Sequence, residues 1–380
     1  MIDIFPAYYE IILKKIARDT KLNDKSFLEK LSQLRSALYH SRGVDLKYNR
    51  ERALLYTFFY WPLNFFKYMN LLEQLDKTTD IFERKSIDVA DIGCGPGSFY
   101  SALIIFLMKK KKKIKVDYLA IDESTENINI FRKYFFNKDF RDFIGFPLRL
   151  SLVQADITNF KKARPKDLIV CGDVFSEIRE KSDFFAGLKG FMSESKDTKL
   201  LIMEPVSRKK NKVFHKESLN FISENNLKEA SPCDYRETSL CEKCDYFDTV
   251  YFQSPDNWLE KNIDINQADL IYRIIGFDFK GIEVPQNTLN EDTQTTMISR
   301  LMMRDIYRKP KPPWRFKVCD GRNGLNHVDI LVNDIDLYNR LMNENIGGYF
   351  EFFGTISKDK KKKRKSKYVM EIKDFRSWKK

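Results

Sequence analysis

The stretch that most constrains the fold is SIDVADIGCGPGSFYSALIIFLMKK, residues 86–110. A short apolar segment leads into three glycines, Gly93, Gly95 and Gly97, and an apolar run at helical spacing follows them. Glycines let the backbone approach a ligand closely, and the amide groups at the start of a helix offer it hydrogen bonds. The stretch therefore predicts a strand, a ligand-binding loop and a helix.

Strand and helix patterns alternate beyond this loop. Further strand candidates are KVDYLAIDES (115–124), LRLSLVQADI (148–157), KDLIVCGDVF (166–175) and TKLLIMEPV (198–206). Helical patterns lie between them, around 176–192 and 211–225. This alternation predicts a doubly wound α/β fold with a parallel sheet, in which ligands bind beyond the carboxyl ends of the strands.

Acidic residues end the predicted strands. Asp91 suits a ligand that carries an amino cation and would repel a pyrophosphate, and Asp122 is placed to accept ribose hydroxyls. The Asp156 side chain and the Ile157 backbone would bind adenine, and Asp173 ends the fourth strand. The glycines alternate strictly, unlike the dinucleotide fingerprint, so we expect a class I S-adenosylmethionine methyltransferase fold. The predicted S-adenosylmethionine-binding residues are Asp91, Gly93, Cys94, Gly95, Gly97, Asp122, Asp156, Ile157 and Asp173.

The sequence gives little on catalysis. CGDVFSEI, residues 171–178, lacks the Asn/Asp-Pro-Pro-aromatic signature of base-amine methylation. Cys171 has no nucleophile-type setting and is predicted to be a buried strand cysteine. Asp173 and Glu177 are weak candidates for a base or a substrate-orienting group. A fold does not imply an activity, so the catalytic residues stay unknown.

Four regions are predicted along the 380 residues. Residues 1–85 are helical, with Pro62 starting or kinking a second helix, and residues 86–228 form the methyltransferase domain. Residues 229–299 are a cysteine-rich, cluster-binding segment with a weak helical signal near 256–276. Residues 300–380 are a basic β-rich part, in which GYFEFFGTI and KYVMEIKDF form a hairpin around the last lysine run.

The charge balance favours a polyanionic partner. Lys and Arg number 67 against 54 Asp and Glu, a net charge of +13, with lysine runs at 109–115 and 358–367. Nucleic acid is the favoured partner, and a solvated lysine-rich surface is the alternative. The N-terminus lacks a signal-peptide pattern, and no apolar run approaches the roughly 20 residues that span a bilayer. We therefore expect a soluble bacterial protein of the cytoplasm with no membrane partner.

Three of the six cysteines lie close together in SPCDYRETSLCEKCDYF, residues 231–247. The short spacing of Cys241 and Cys244 is typical of a metal knuckle, and Cys233 would be a third ligand. Zinc and an iron–sulfur cluster both suit thiolates, and sequence alone does not separate them. A chance cluster of free thiols or a disulfide is the alternative. The candidates for a fourth ligand are Cys319, His215 and His327.

Four segments, taken in order, resemble the small-ribosomal-subunit methyltransferase-like family of mitochondria and bacteria. They are RALLYTFFYWPLNFFKYMNLLEQL with its Pro62 and Asn64, DIGCGPGS, LLIMEPV followed by ASPCDYRETSLCEKCDYF, and ISRLMMRDIYRKPKPPWRFKVCDGRNG. The resemblance spans roughly residues 50–355. Where the family commonly has Pro-His and Trp-Cys-His in the cysteine loop, this chain has Asp234-Tyr235 and Lys243-Cys244-Asp245, and Val206 replaces a frequent glycine.

The resemblance implies a structural 4Fe–4S cluster, with zinc as the alternative, and association with the small ribosomal subunit or its rRNA. It implies either an rRNA methyltransferase or an inactive assembly factor, and a mitochondrial matrix location in a eukaryote. A protein or small-molecule methyltransferase with structural zinc is a weaker alternative. The oligomeric state is not predicted. The implied cluster ligands are Cys233, Cys241, Cys244 and Cys319.

Overall fold

A computed structural model describes most of the chain between residues 49 and 377. The described ranges are 49–136, 146–159, 163–175, 177–178, 181–205, 208–231, 248–251, 267–277, 279, 294–303, 312–319, 328–342, 349–358 and 368–377, with short helical stretches between 11 and 34. The helices are α1 (Arg50–Thr78), α2 (Ser98–Lys109), α3 (Thr125–Ile130), α4 (Lys181–Gly190), α5 (Arg208–Glu224) and α6 (Ile335–Met342).

The strands form one open sheet and one barrel. Those of the sheet are β1 (Ser86–Ile92), β2 (Lys115–Asp122), β3 (Leu148–Gln154), β4 (Leu168–Gly172), β5 (Lys199–Pro205), β6 (Lys228–Ser231), β7 (Asp248–Tyr251) and β8 (Gln267–Gly276). Those of the barrel are β9 (Gln294–Met303), β10 (Trp314–Cys319), β11 (Val328–Val332), β12 (Tyr349–Lys358) and β13 (Tyr368–Ser377).

The sheet has the strand order β3-β2-β1-β4-β5-β8-β6, and β7 pairs with β8. Strands β1 to β5 are mutually parallel, whereas β8 runs antiparallel to β5 and to β6. The predicted parallel, doubly wound sheet is therefore confirmed. Because the order reverses between β1 and β4, a crevice opens beside the carboxyl ends of these two strands.

The sequence predicts a weak helix near 256–276; residues 256–266 lie outside the described residues, and residues 267–276 form strand β8 instead. The prediction is wrong because the run from Tyr272 to Gly276 is buried on both faces of the sheet, so it lacks the alternation that marks a strand. The sheet consequently continues past residue 228, where the strand and helix alternation stops. An antiparallel strand needs no helical crossover, so the alternation of strand and helix patterns in the sequence does not predict β8.

Helix α1 is a single helix, so the expected second helix starting at Pro62 is not formed. The Asn49 side chain accepts from the backbone N–H of Arg52 and caps its first turn. Proline removes one helical hydrogen bond, and the burial of neighbouring Trp61 and Phe65 offsets that loss. The Tyr68 ring meets Phe99 of α2 at 5.1 Å between centroids, which packs α1 beside the glycine loop.

Two apolar layers cover the sheet. One contains Val89 and Val170 together with the buried faces of α1 and α2, and the other contains Ala90 and Ile169 together with α4 and α5. Adjacent residues of a strand point to opposite layers, as a three-layer α/β core requires. The core thus holds β1 and β4 rigidly, and with them the acids at their ends.

The C-terminal strands close into a barrel in the order β10-β11-β13-β12-β9. The predicted hairpin is confirmed, because β12 and β13 pair antiparallel from Phe350↔Ser377 to Lys358↔Tyr368. The barrel interior is filled by its own apolar cluster, which includes Phe316, Ile330 and Phe352. Among the described residues, no helix has the length and apolar character needed to cross a bilayer.

Candidate active site

The loop after β1 carries three glycines in left-handed conformations. The φ angle is +66° at Gly93, +52° at Gly95 and +88° at Gly97. A Cβ on Gly93 would lie 2.0 Å from Val174 Cγ2, and a Cβ on Gly97 would lie 2.8 Å from the Phe131 ring. A Cβ on Gly95 would meet no heavy atom within 4 Å. The loop is therefore packed tightly at its outer glycines and open at the middle one.

Asp122 ties this loop to the end of β2. Its Oδ2 accepts from the Gly95 N–H at 2.8 Å, and its Oδ1 accepts from the Ser124 N–H at 2.8 Å and from Asn127 Nδ2 at 3.4 Å. Burial raises the pKa of the Asp122 carboxyl to about 6, although the Ser124 and Gly95 amides oppose that rise. Each carboxylate oxygen has two lone-pair directions, so Asp122 retains capacity for ligand hydroxyls.

Asp91 lies in β1 just before the loop and is 1% exposed. The Tyr118 hydroxyl on β2 donates to its Oδ2 at 2.6 Å. Burial raises the pKa of Asp91 to about 7; the Tyr118 hydrogen bond opposes this and the negative charge of Asp122 adds to it. Two neighbouring buried carboxyls favour a cationic ligand, because a positive charge stabilises their ionised forms.

Asp173 directly follows β4, with φ at +61°. Its N–H donates to the Met203 carbonyl at 2.8 Å, and its Oδ2 accepts from Asn64 Nδ2 of α1 at 2.8 Å. Lys67 Nζ donates to Asn64 Oδ1 at 3.2 Å, which orients the Asn64 amide toward Asp173. The buried Oδ1 of Asp173 has no hydrogen-bond partner within the described part of the chain. This atom can accept a hydrogen bond from a ligand.

Tyr68 of α1 fills the space beside the end of β4. A Cβ at Gly172 would lie 1.8 Å from the Tyr68 hydroxyl oxygen, so only glycine fits there. Burial raises the pKa of Tyr68 well above its usual value, and the charges of Asp91 and Asp173 add to the rise. The hydroxyl therefore keeps its proton next to two carboxyls, as a hydrogen-bond donor.

The remaining predicted residues lie around this centre. Asp156 is exposed, and its Oδ1 accepts from the Thr158 N–H at 2.8 Å, which caps the short turn after β3. The Ile157 side chain is buried in the apolar layer under α4. Glu177 is exposed, and its N–H donates to the Val174 carbonyl. The structure thus brings Asp91, Asp122 and Asp173 to the loop.

Sequence reasoning missed the contribution of α1. In the sequence Asn64 is only part of a motif, and no role is predicted for Lys67, Tyr68 or Tyr118. The sequence does contain a signal for this contribution: Asn64 and Lys67 are polar residues three positions apart within an apolar helix. In the structure both residues are buried. A buried polar pair of this kind needs partners from another element, and Asp173 is that partner.

Cys94 and Cys171 are buried thiols. Burial raises the pKa of both Cys94 and Cys171 well above the usual value, and nearby carboxylates add to the effect. A thiol in such surroundings is a poor nucleophile. Their environment agrees with the expectation that Cys171 is a buried strand cysteine.

The predicted metal centre falls largely outside the described residues. Cys233, Cys241, Cys244 and His327 belong to the part of the chain that is not described, and Cys319 is the last residue of β10. Among described residues, no group of three or more His, Cys, Asp or Glu could hold a metal. The alternative ligand His215 lies in α5, with Arg273 Nη2 at 2.9 Å from its Nδ1. The metal centre stays a prediction.

No protein-family model matches the chain, and no curated protein does. Solved structures that match part of this chain include a SAM-dependent methyltransferase from Aquifex aeolicus (15% identity, 60% of this chain, 99% of that chain, TM-score 0.34). They also include the N-methyltransferase NodS from Bradyrhizobium japonicum with S-adenosyl-L-homocysteine (14% identity, 65% of this chain, 97% of that chain, TM-score 0.34). A third is the magnesium protoporphyrin IX methyltransferase from Synechocystis (11% identity, 66% of this chain, 99% of that chain, TM-score 0.34). At these identities and TM-scores, the three structures give no information about the substrate of this chain.

The fold itself follows from the strand order and the loop. Five parallel strands, a reversed β8 next to β5, and a glycine loop between β1 and α2 are the arrangement of class I S-adenosylmethionine-dependent methyltransferases. The predicted fold class is confirmed. The crevice of this fold is formed here by the loop, by Asp122 and Asp173, and by Tyr68 of α1.

Proposed function

We propose that the chain is an S-adenosylmethionine-dependent methyltransferase that acts on small-subunit rRNA. The observation that carries the proposal is the open middle glycine, Gly95, with Asp91 and Asp122 beside it. The loop leaves room for a ligand where two buried carboxyls concentrate negative charge. That combination suits a ligand with an amino cation, a sulfonium and a ribose, and it disfavours a pyrophosphate.

The residues present fit this cofactor. Asp91 would hold the cationic amino end and Asp122 would accept the ribose hydroxyls. The turn at Asp156 and Ile157 would take the adenine. S-adenosylmethionine, when bound, supplies an electrophilic methyl group on its sulfonium.

Asp173 is the candidate group on the acceptor side. Its unpartnered Oδ1 can accept a hydrogen bond from the N–H or O–H that is to be methylated, which aligns the acceptor lone pair. Asn64 holds the other oxygen and Lys67 holds Asn64, so α1 fixes the direction of the carboxyl. Tyr68 is buried beside it and fills the space next to Gly172.

The choice of rRNA as substrate is supported by the sequence. The four segments that resemble the small-ribosomal-subunit methyltransferase-like family occur in order, and the net charge of +13 favours a polyanionic partner. The family resemblance also supports a thiolate-held metal group, a 4Fe–4S cluster or zinc, at Cys233, Cys241, Cys244 and Cys319. Its role would be structural, because four thiolates leave no open coordination position.

Calorimetric titration with S-adenosylmethionine tests the cofactor site, and Asp122→Asn is the informative variant. It removes the charge that would accept the ribose hydroxyls, so the affinity should fall by about tenfold or more. Asp117→Asn is the matched control, because Asp117 lies on the same strand and pairs with Lys115 away from the loop. No heat of binding to the wild-type protein, or equal affinities for both variants, would contradict the proposed cofactor site.

A further inference from the structure

Three cationic side chains are buried within the part of the chain that the structure describes: Lys67, Lys199 and Arg273. Lysine and arginine are rarely buried without a partner, because an opposite charge must offset the loss of hydration. Lys199 follows this rule in an ion pair with Asp197, and Arg273 follows it in one with Glu229. Lys67 is only 5% exposed, yet it forms no ion pair with any described residue. Its charge is therefore buried without a described counter-charge.

The ammonium of Lys67 has hydrogen-bonding capacity to spare. Its Nζ donates to Asn64 Oδ1 at 3.2 Å, the one hydrogen bond that it makes to a described residue. An ammonium has three N–H donors, so two of them remain for a ligand. A buried polar group with unused donors calls for a partner, and a positive charge calls for an anionic one.

Asn64 lies between Lys67 and the carboxyl of Asp173. Because an ammonium only donates and a carboxylate only accepts, the Asn64 amide must turn its Oδ1 to Lys67 and its Nδ2 to Asp173. The amide thus serves both residues and keeps their charges apart. The two hydrogen bonds and the head groups that they join place Lys67 Nζ within about 10 Å of Asp173 Oδ1. One nucleotide can reach Asp173 with its base and Lys67 with its phosphate.

We propose that Lys67 binds a phosphate of the RNA strand whose target nucleotide lies at Asp173. Contacts to phosphates fix the register of a nucleic acid, whereas contacts to base edges select the base. A phosphate held by Lys67 would therefore determine which nucleotide of the strand reaches Asp173. The choice of RNA rests on the proposed function, whereas an anion at Lys67 does not require the methyl donor.

The test is equilibrium binding of the full chain to a fluorescein-labelled oligouridylate of about 12 nucleotides, at several salt concentrations. Lys67→Gln is the informative variant, because glutamine can still donate to Asn64 Oδ1 but carries no charge. Lys67→Arg keeps the charge. Lys77→Gln is the matched control, because Lys77 is an exposed lysine of the same helix.

Lys67→Gln should bind the RNA about tenfold more weakly, since a charge-assisted hydrogen bond is lost. Its plot of log affinity against log salt should be shallower by about 0.7, the value for one phosphate contact. Lys67→Arg and Lys77→Gln should keep the wild-type slope. A wild-type slope in Lys67→Gln, or the same loss in Lys77→Gln, would overturn the inference. Polyglutamate that displaces the labelled RNA as well as unlabelled oligouridylate does would overturn the choice of a phosphate.

Thermal unfolding distinguishes a binding role of Lys67 from a structural one. Lys67→Gln should melt no lower than the wild type, because it removes a buried charge that no described carboxylate neutralises. Lys199→Gln should melt lower, because it breaks the ion pair of a buried lysine with Asp197. An equal fall in the two melting temperatures would show that the Lys67 ammonium stabilises the fold, and it would contradict the inference.

Cofactor titration of Lys67→Gln separates this inference from the proposed function. We expect its affinity for S-adenosylmethionine to be that of the wild type, because the described hydrogen bond of Lys67 goes to Asn64 and not to the glycine loop. Wild-type cofactor binding with an unchanged salt slope would remove the phosphate site and leave the proposed enzyme. A changed salt slope in a chain that binds no cofactor would do the reverse.

Discussion

Replacing Gly95 by alanine separates cofactor binding from folding. The residue has φ at +52°, where a side chain costs about 1–2 kcal/mol, and its new Cβ would meet no protein atom within 4 Å. The melting temperature should therefore fall by only about 2–8 °C. The methyl group would enter the space that we assign to the cofactor, where overpacking costs about 1–3 kcal/mol. The affinity for S-adenosylmethionine should fall by roughly 5- to 150-fold.

Gly97→Ala is the matched comparison, because its Cβ would lie 2.8 Å from the buried Phe131 ring at φ +88°. It combines backbone strain with overpacking of the core, so its melting temperature should fall further than that of Gly95→Ala. Thermal unfolding and calorimetric titration measure both quantities for both variants. If Gly95→Ala binds S-adenosylmethionine as the wild type does, the open space beside Gly95 is not the cofactor site.

Three further predictions follow from the site. The pKa of Asp91 is raised to about 7. Because a cationic cofactor favours the ionised form of Asp91, binding below that pH should release a proton from the Asp91 carboxyl. Affinity should then rise with pH by up to about tenfold per unit below about pH 7 and level off above it. Asp91→Asn should flatten this calorimetric profile and Asp88→Asn should keep it, while a flat wild-type profile would contradict the role of Asp91. Asp173→Asn should lower the methyl-transfer rate by about 10²-fold or more while cofactor affinity changes little, and an unchanged rate refutes its acceptor role. Cys319→Ser should lose the iron or zinc measured by elemental analysis, whereas Cys171→Ser should retain it; a full metal content in Cys319→Ser would exclude Cys319 as a ligand.

The sequence predicts the parallel half of the sheet because each parallel strand is separated from the next by a crossover. Each such strand ends at an acid or a glycine loop, which gives a local signal at Asp91, Asp122 and Asp173. Strand β8 gives no such signal, because its residues from Tyr272 to Gly276 are buried on both faces and because it pairs antiparallel without a crossover. Its long-range pairing with β5 and β6 becomes visible only in the folded chain.

The acceptor side of the crevice depends on contacts that are distant in sequence. Asn64 and Asp173 are separated by 109 positions, and no local pattern predicts their hydrogen bond. The barrel also depends on contacts that are distant in sequence. The hairpin of β12 and β13 has a local signal, whereas closure of the barrel requires β9 to pair with both β10 and β12.

The most direct test of the central claim is methyl transfer itself. The purified protein is incubated with methyl-labelled S-adenosylmethionine and small-subunit rRNA that lacks its modifications, and the label in the RNA is counted. We predict label in the rRNA with the wild-type protein and a strongly reduced amount with Gly95→Ala. Cofactor binding with no label in the rRNA would contradict the methyltransferase assignment and favour an RNA-binding assembly factor.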